Sequence, residues 1–109
     1  MSYQLVRSCN VVKIQRKNGQ VLQWCDVYIG RSCHRGGWNL SKSKWHNPFV
    51  VGKHGDVTEV LFQYENHVRN SYLINDIDEL YGKTLGCWCA PNYCHGHILQ
   101  KLLREKYGY

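Results

Sequence analysis

The segment from Lys83 to Lys106 constrains the fold more than any other part of the chain. Residues 83–89, KTLGCWC, are predicted to form a strand, and apolar side chains throughout it favour a position in the centre of a sheet. Pro91 and Asn92 then turn the chain. A C-terminal helix is predicted from the apolar stripe formed by Ile98, Leu99, Leu102 and Leu103. Ligands bind beyond the carboxyl ends of strands, so a site is expected in this segment.

The N-terminal part of the chain is predicted to form a β-hairpin followed by a long loop. Residues 11–16, VVKIQR, and 25–29, CDVYI, have the composition of short strands, and the Asn-Gly step between them suits a hairpin turn. Residues 30–49 contain three glycines and a proline and show no periodicity. Two tryptophans in this segment favour an ordered loop, and irregular segments of this length are commonly functional.

Two helices are predicted between this loop and the central strand. Asp56 and Glu59 form a capping pattern, and apolar residues then recur at helical spacing to a helix end near Asn70. These residues are Val57, Val60, Leu61, Tyr64 and Val68. Residues 75–82, NDIDELYG, suit a second, short helix that ends at Gly82. The element order predicts a small α/β or α+β fold, with an N-terminal hairpin, a long ordered loop, two helices, a central strand and a C-terminal helix.

Length, charge and cysteine usage restrict the class of protein. A chain of 109 residues is expected to form a single domain over residues 1–109. The formal net charge of +6 permits nucleic acid as a partner but does not require it. Six cysteines in a chain without an apolar signal region in residues 1–10 predict a cytoplasmic protein that is not secreted. No apolar run reaches the length of a membrane span, so no membrane partner is expected.

Three cysteines and two histidines lie within residues 87–97. Successive side chains of a strand alternate between its faces, so Cys87 and Cys89 are expected on one face and Trp88 on the other. Cys94 and His95 then lie where the last helix is predicted to begin, and the unpaired amides there favour anions or thiolates. The side chains of Cys87 and Cys89 and the residues at the start of the last helix are therefore expected to lie close together.

Three interpretations of this cluster stay open. Zinc is the candidate cofactor, with Cys87, Cys89, Cys94 and either His95 or His97 as its ligands, although the spacing lacks the paired C-x2-C of common zinc modules. Alternatively, Cys94 or Cys89 is a reactive thiol with a pKa lowered by the helix start and by His95, which would make these three residues catalytic. The third interpretation is that the cysteines pack as small apolar side chains, which is favoured for Cys87.

The motifs of this chain resemble the domain-of-unknown-function family 4326. The resemblance rests on Y-I-G-R at the end of a strand, on G-G-W and S-K-W-x-N-P-F in the loop, and on L-G-C-W-C-x-P-x-x-C-H-G near the end of the chain. It covers residues from about Val11 to Leu103. The family occurs in bacteria, phages, large DNA viruses and some eukaryotes. A viral or phage origin fits this distribution and the small size of the chain, and the expected location is then the host cytoplasm. His97 departs from the pattern, because family members commonly carry an acidic residue at that position.

The loop supplies candidate contacts for a ligand held at the last helix. Arg31 and Lys44 are expected to reach a phosphate or carboxylate, while Asn47 and the indoles of Trp38 and Trp45 suit a planar base. The predicted ligand-binding residues are Gly30, Arg31, Trp38, Lys44, Trp45, Asn47 and Gly96. Structural roles in anchoring the loop are favoured over ligand contact for Trp45, Pro48 and Phe49.

Three functions follow as hypotheses. The first is a domain that binds a nucleotide or a similar phosphorylated, base-bearing ligand where residues 30–49 meet the last helix. The second is an enzyme that uses cysteine and histidine on a nucleoside or nucleotide. The third is a basic module, stabilised by zinc, that binds nucleic acid or another partner. The first requires Arg31 and the beginning of the last helix to face one hollow.

Overall fold

A computed structural model describes residues 9–90 and 92–108. The strands are β1 (Asn10–Lys13), β2 (Gln15–Lys17), β3 (Gln20–Gln23), β4 (Val27–Tyr28) and β5 (Thr84–Cys87). The helices are α1 (Val57–Arg69), a 3-10 helix (Tyr72–Leu80) and α2 (His95–Tyr107). Residues 1–8, on which most of the prediction about a signal region depends, fall outside the described residues, as does Pro91, which is predicted to lie in a turn.

The main sheet has three parallel strands in the order β1-β5-β4. Leu85 pairs with Val11 on one side and with Val27 on the other, which confirms the central position predicted for residues 83–89. Gly86 allows close packing at this position, because an added Cβ would lie 2.3 Å from the Cys25 sulfur and 2.8 Å from Ile14. The fold is therefore mixed α/β, as the element order predicts.

The predicted pairing of residues 11–16 with residues 25–29 is wrong. The first segment divides at Ile14, which is buried and donates its N–H to the Cys87 carbonyl. Residues before Ile14 join β5, and residues after it form a smaller hairpin of β2 with β3. The Asn-Gly turn is correct, with positive φ at Asn18 (52°) and Gly19 (79°). Strand composition identifies the segments but not their partners, so it could not show that β1 and β4 flank β5.

Helix α1 begins as its capping pattern predicts. The Asp56 carboxylate accepts the Glu59 N–H at 2.8 Å, and the Glu59 carboxylate accepts the Asp56 N–H at 3.2 Å. Asn70 is the C-cap of the helix, as predicted, and the helix buries Val60, Leu61, Tyr64 and Val68. Of the predicted stripe, Val57 alone is exposed.

The other two helices complete the core. The predicted second helix is a 3-10 helix that starts earlier than residue 75, capped by the Ser71 hydroxyl. Helix α2 packs on β1, β5 and α1, and it buries Ile98, Leu99, Leu102 and Leu103 as predicted. It ends at Gly108, whose φ of 73° is left-handed. None of the described helices is long and apolar enough to cross a membrane.

Residues 30–49 form the ordered, irregular loop that the sequence predicts. Its outer part is closed by reciprocal backbone hydrogen bonds between Cys33 and Leu40, at 2.9 and 2.8 Å. Its inner part is anchored by Trp45, which is 2% exposed and whose carbonyl accepts the Tyr64 hydroxyl at 2.7 Å. The structural role favoured for Trp45 is therefore confirmed.

Candidate functional site

A hollow of about 350 Å³ opens beyond the carboxyl end of β5, where the strand, the long loop and the two long helices meet. Strand β5 and the bend after it contribute Cys87, Trp88 and Cys89. The loop contributes Gly30, Arg31, Asn47 and Phe49, and the residues that follow contribute Val50, Val51, Val57, Val60 and Leu61. The bend and the start of α2 contribute Tyr93, Cys94 and His95. Arg31 and the beginning of the last helix therefore border one hollow, as the nucleotide hypothesis requires.

Arg31 is fixed at this hollow by the backbone of its own loop. Its Nε and Nη2 donate to the Asn47 carbonyl at 3.2 and 2.8 Å, and Nη2 also donates to the Phe49 carbonyl at 3.2 Å. The Arg31 carbonyl accepts the Tyr28 hydroxyl at 2.6 Å. No described residue accepts a hydrogen bond from Nη1, so one edge of the guanidinium remains available to an anion.

Asn47 shapes the loop. Its side-chain oxygen accepts the Phe49 N–H at 2.9 Å across Pro48, and its carbonyl accepts Arg31. Phe49 also packs edge-on against His54 and His67, with ring centroids 5.7 and 6.0 Å apart. Asn47 thus lines the hollow as predicted, and it also holds the loop in a conformation that positions Arg31.

Four of the predicted ligand-binding residues do not belong to this hollow. Lys44 forms ion pairs with Asp76 and Glu79 on the 3-10 helix, at 3.1 and 2.8 Å. The others are Trp45, which is core, Trp38 and Gly96. Local sequence could not reveal these placements, because each depends on a residue distant in the chain.

Trp38 and Gly96 have packing partners instead. Trp38 stacks on Trp24 with ring centroids 5.8 Å apart and contacts the edge of Trp88, also at 5.8 Å. Gly96 faces β1 and the end of β4, since an added Cβ would lie 2.9 Å from side-chain carbons of Val11 and Ile29. Gly96 is therefore required where α2 crosses the sheet, which is a packing role.

His95 is held as a neutral imidazole. Its Nε2 lies 2.7 Å from the Ile29 carbonyl, and because a carbonyl only accepts, Nε2 carries the proton. Burial lowers the pKa of His95 to about 4, helped by the nearby His46 and Arg31 and in spite of the hydrogen bond to Ile29, which acts to raise it. Nδ1 is then the nitrogen that can accept a proton or a hydrogen bond.

The lowered thiol pKa belongs to Cys87, not to Cys94 or Cys89 as predicted. The sulfurs of Cys87 and Cys94 lie 3.4 Å apart. A hydrogen bond from the Cys94 thiol, with the backbone amides of Ala90 and Cys89, lowers the pKa of Cys87 to about 6 although the residue is buried. The same thiol hydrogen bond, together with burial, raises the pKa of Cys94.

Cys89 is exposed and is also a poor thiolate. Desolvation and the neighbouring Cys87 raise its pKa, while Lys13 lowers it. The prediction that Cys87 packs in the core is confirmed, since it is 1% exposed, yet it also lines the hollow. The sequence did not reveal the low pKa of Cys87, because the amides that contact its sulfur belong to the bend after β5.

The predicted zinc ligands do not surround one point. Residues 9–90 and 92–108 contain no group of three or more Cys, His, Asp or Glu side chains arranged to hold a metal ion. Cys87 and Cys94 are adjacent, but His95 directs Nε2 to the Ile29 carbonyl. The residues present therefore do not fit a structural zinc site.

His97, the departure from the family motif, caps the last helix. Its Nδ1 accepts the Cys94 N–H at 2.9 Å, from the third position of α2. An acidic side chain at that position can form the same capping contact. The departure thus preserves a structural role at the helix start.

Sequence comparison assigns the chain to a family. A family model described as "Domain of unknown function (DUF4326)" matches residues 12–105. The chain is also similar to "Uncharacterized protein R718" of Acanthamoeba polyphaga mimivirus, with 43% identity over 91% of this chain and 84% of the relative. No solved structure matches the chain significantly. Together with the motifs that build the hollow, these matches show that the chain belongs to the DUF4326 family.

Proposed function

We propose that the protein binds a nucleotide or a similar base-bearing, phosphorylated ligand in the hollow beyond β5. The observation that carries this proposal is the position of Arg31, whose guanidinium is held by two carbonyls and whose Nη1 has no acceptor among the described residues. An anionic group of the ligand would complete the hydrogen bonding of this guanidinium.

The rest of the hollow suits a planar group. Its volume of about 350 Å³ lies within the range of small-molecule sites, and its lining is mostly aliphatic or aromatic. The indole of Trp88 and the phenol ring of Tyr93 offer aromatic faces at its edge. A base would therefore lie among apolar side chains while its phosphate faces Arg31.

The first test is a thermal-shift experiment with nucleoside monophosphates on the wild-type protein and on Val57→Glu. Val57 is 50% exposed in the first turn of α1 and lines the hollow, and an acidic side chain is compatible with a helix start. The added carboxylate is expected to repel the ligand and remove the shift. Phe62→Glu, on the same helix but outside the hollow, is expected to retain it.

A second variant addresses Arg31 itself. Arg31→Lys keeps the charge but cannot form the forked hydrogen bonds to Asn47 and Phe49, so weaker binding is expected, measured as a smaller ligand-induced shift from the variant's own melting temperature. If no nucleotide at millimolar concentration raises the melting temperature of the wild-type protein, the proposal is abandoned.

The second candidate function is a thiol enzyme that acts on a nucleoside or nucleotide, with Cys87 as its nucleophile. It is favoured by the amide hydrogen bonds to the Cys87 sulfur and by the position of this residue in the wall of the hollow. Near neutral pH, iodoacetamide is expected to modify Cys87 faster than the buried Cys9 and Cys25. Nucleotide should slow the reaction, and a Cys87 that resists alkylation in the folded protein would exclude this candidate.

A further inference from the structure

A second hollow of about 490 Å³ adjoins the first on the side of the long loop. Its lining consists of Arg31, Ser32, Cys33, His34, Arg35 and Trp88. Arg31 and Trp88 also line the first hollow, so the two share a wall. The first is mostly apolar, whereas the second contains two guanidinium groups, an imidazole and a hydroxyl.

The loop is folded so that these polar groups stay together. The reciprocal hydrogen bonds of Cys33 with Leu40 close its base, and the Trp38 N–H donates to the Arg35 carbonyl at 3.0 Å across two glycines with positive φ. The His34 Nδ1 lies 2.8 Å from the Asn39 side-chain oxygen. The amide oxygen accepts a hydrogen bond, so the proton of His34 lies on Nδ1 and Nε2 is available to other partners.

Within residues 9–90 and 92–108, the two arginines of the second hollow form no ion pair with a carboxylate. Asp26 is the one acidic residue in positions 1–55, which contain nine of the 14 Lys and Arg residues. The ion pairs of the structure use acidic residues of the helices. The basic residues in them are Lys44, Arg69, Lys101 and Lys106. No ion pair among the described residues involves Arg31 or Arg35, so their charge is available to an external anion.

We infer that the second hollow is a phosphate subsite, and that the ligand is a nucleoside carrying two or more phosphate groups. This inference rests on the proposed function, because it assumes a base in the first hollow. The first phosphate would face Arg31 at the shared wall, and the next would enter the second hollow between Arg31 and Arg35. Ser32 lies in the same lining, and its hydroxyl can donate a further hydrogen bond to a phosphate.

Isothermal titration calorimetry with a nucleoside, its monophosphate and its diphosphate tests this subsite. In the wild-type protein the diphosphate is expected to bind about tenfold more tightly than the monophosphate, since one charge-assisted contact has an effect of that order. Arg35→Ala should remove this step while leaving monophosphate binding within about twofold. The step should also weaken as salt concentration rises.

Lys42→Ala is the matched control, because Lys42 is an exposed cation of the same loop that lines neither hollow. It is expected to keep the diphosphate preference. A 5′-phosphorylated dinucleotide shows whether the ligand is a free nucleotide or the end of a nucleic acid. If the site holds the end of a nucleic acid, the dinucleotide should bind as tightly as the diphosphate, and if it holds a free nucleotide, the dinucleotide should bind more weakly. Equal affinity of the wild-type protein for mono- and diphosphate would overturn the subsite and leave the proposed function intact. Failure of all three ligands to bind would remove both.

Discussion

The Cys87 and Cys94 sulfurs lie 3.4 Å apart where the central strand passes through a bend into the final helix. At this distance the two thiols act as one titrating unit that readily loses only its first proton. The amides of Ala90 and Cys89 place the resulting negative charge on Cys87, and Cys94 keeps its proton. A buried thiolate is thus stabilised beside the proposed ligand site.

The first prediction concerns the titration of this pair. Thiolate absorbance in the ultraviolet should show a transition near pH 6 that is missing in Cys87→Ser. Cys94→Ala removes the thiol that donates to Cys87, so the transition should move to higher pH. Cys33→Ser, which alters a thiol outside the pair, serves as the control. An unchanged transition in Cys94→Ala would show that the Cys94 thiol does not lower the pKa of Cys87.

The second prediction is that a mild oxidant joins the same two sulfurs. The thiolate of Cys87 attacks a low-molecular-weight disulfide and releases one thiol, which leaves a mixed disulfide on Cys87. The Cys94 sulfur then attacks the Cys87 sulfur, forms the bond between the two cysteines and releases the second thiol. The protein loses two hydrogens, which intact-mass measurement and peptide mapping detect. A bond of about 2.0 Å requires the sulfurs to approach further. Because the Cys87 and Cys94 sulfurs are already in contact, the reaction is expected at this pair. Mapping of the bond to another cysteine pair would contradict the prediction.

The third prediction concerns His95 and acid stability. Burial keeps the folded pKa near 4, so the unfolded chain binds a proton at a higher pH than the folded chain does. Stability attributable to neutral His95 is therefore present above the unfolded pKa and is lost as pH falls toward 4. The expected loss is on the order of 2 kcal/mol, since the side chain retains some solvent contact.

His95→Gln isolates this contribution. Glutamine can still donate to the Ile29 carbonyl but does not titrate, so the variant should lose less stability than the wild-type protein between pH 7 and pH 4. Urea unfolding at both pH values gives the comparison. Parallel losses in the two proteins would assign the acid sensitivity to other groups.

The fourth prediction is that Gly86→Ala destabilises the central strand. The new methyl group would meet the Cys25 sulfur and Ile14, both in the core, at a cost of about 2 kcal/mol or more. Gly19→Ala is the control, because an added Cβ there meets nothing within 4 Å and only its positive φ is unfavourable, by about 1 kcal/mol. Denaturant melts that rank Gly19→Ala as the more damaging change would contradict this reading of the strand.

The elements that the sequence predicted correctly depend on local chemistry. The capping pair of Asp56 and Glu59 lies within one helical turn, and the stripe from Ile98 to Leu103 repeats along one helix. The Asn18-Gly19 turn needs only its own backbone conformation. Such features are encoded by residues within a few positions of one another, so periodicity and composition reveal them.

The features that the sequence did not reveal depend on distant partners. Lys44 was expected at the ligand, but Asp76 and Glu79 lie closer to it in the fold. Cys87 could be identified as buried, yet its low pKa arises from the positions of Cys94 and of two amides. A charge count would have helped with the second hollow, since the scarcity of acids before residue 56 is visible in the sequence.

The position of β5 between β1 and β4 has a consequence for biosynthesis. Both outer strands precede residue 30, and the strand that joins them is made more than fifty residues later. During translation β1 and β4 therefore lack their partner strand until Thr84–Cys87 leaves the ribosome. The same late event brings Cys87 and Cys94 next to the loop that carries Arg31, so a nascent chain should complete its main sheet and the hollow beyond β5 in one step.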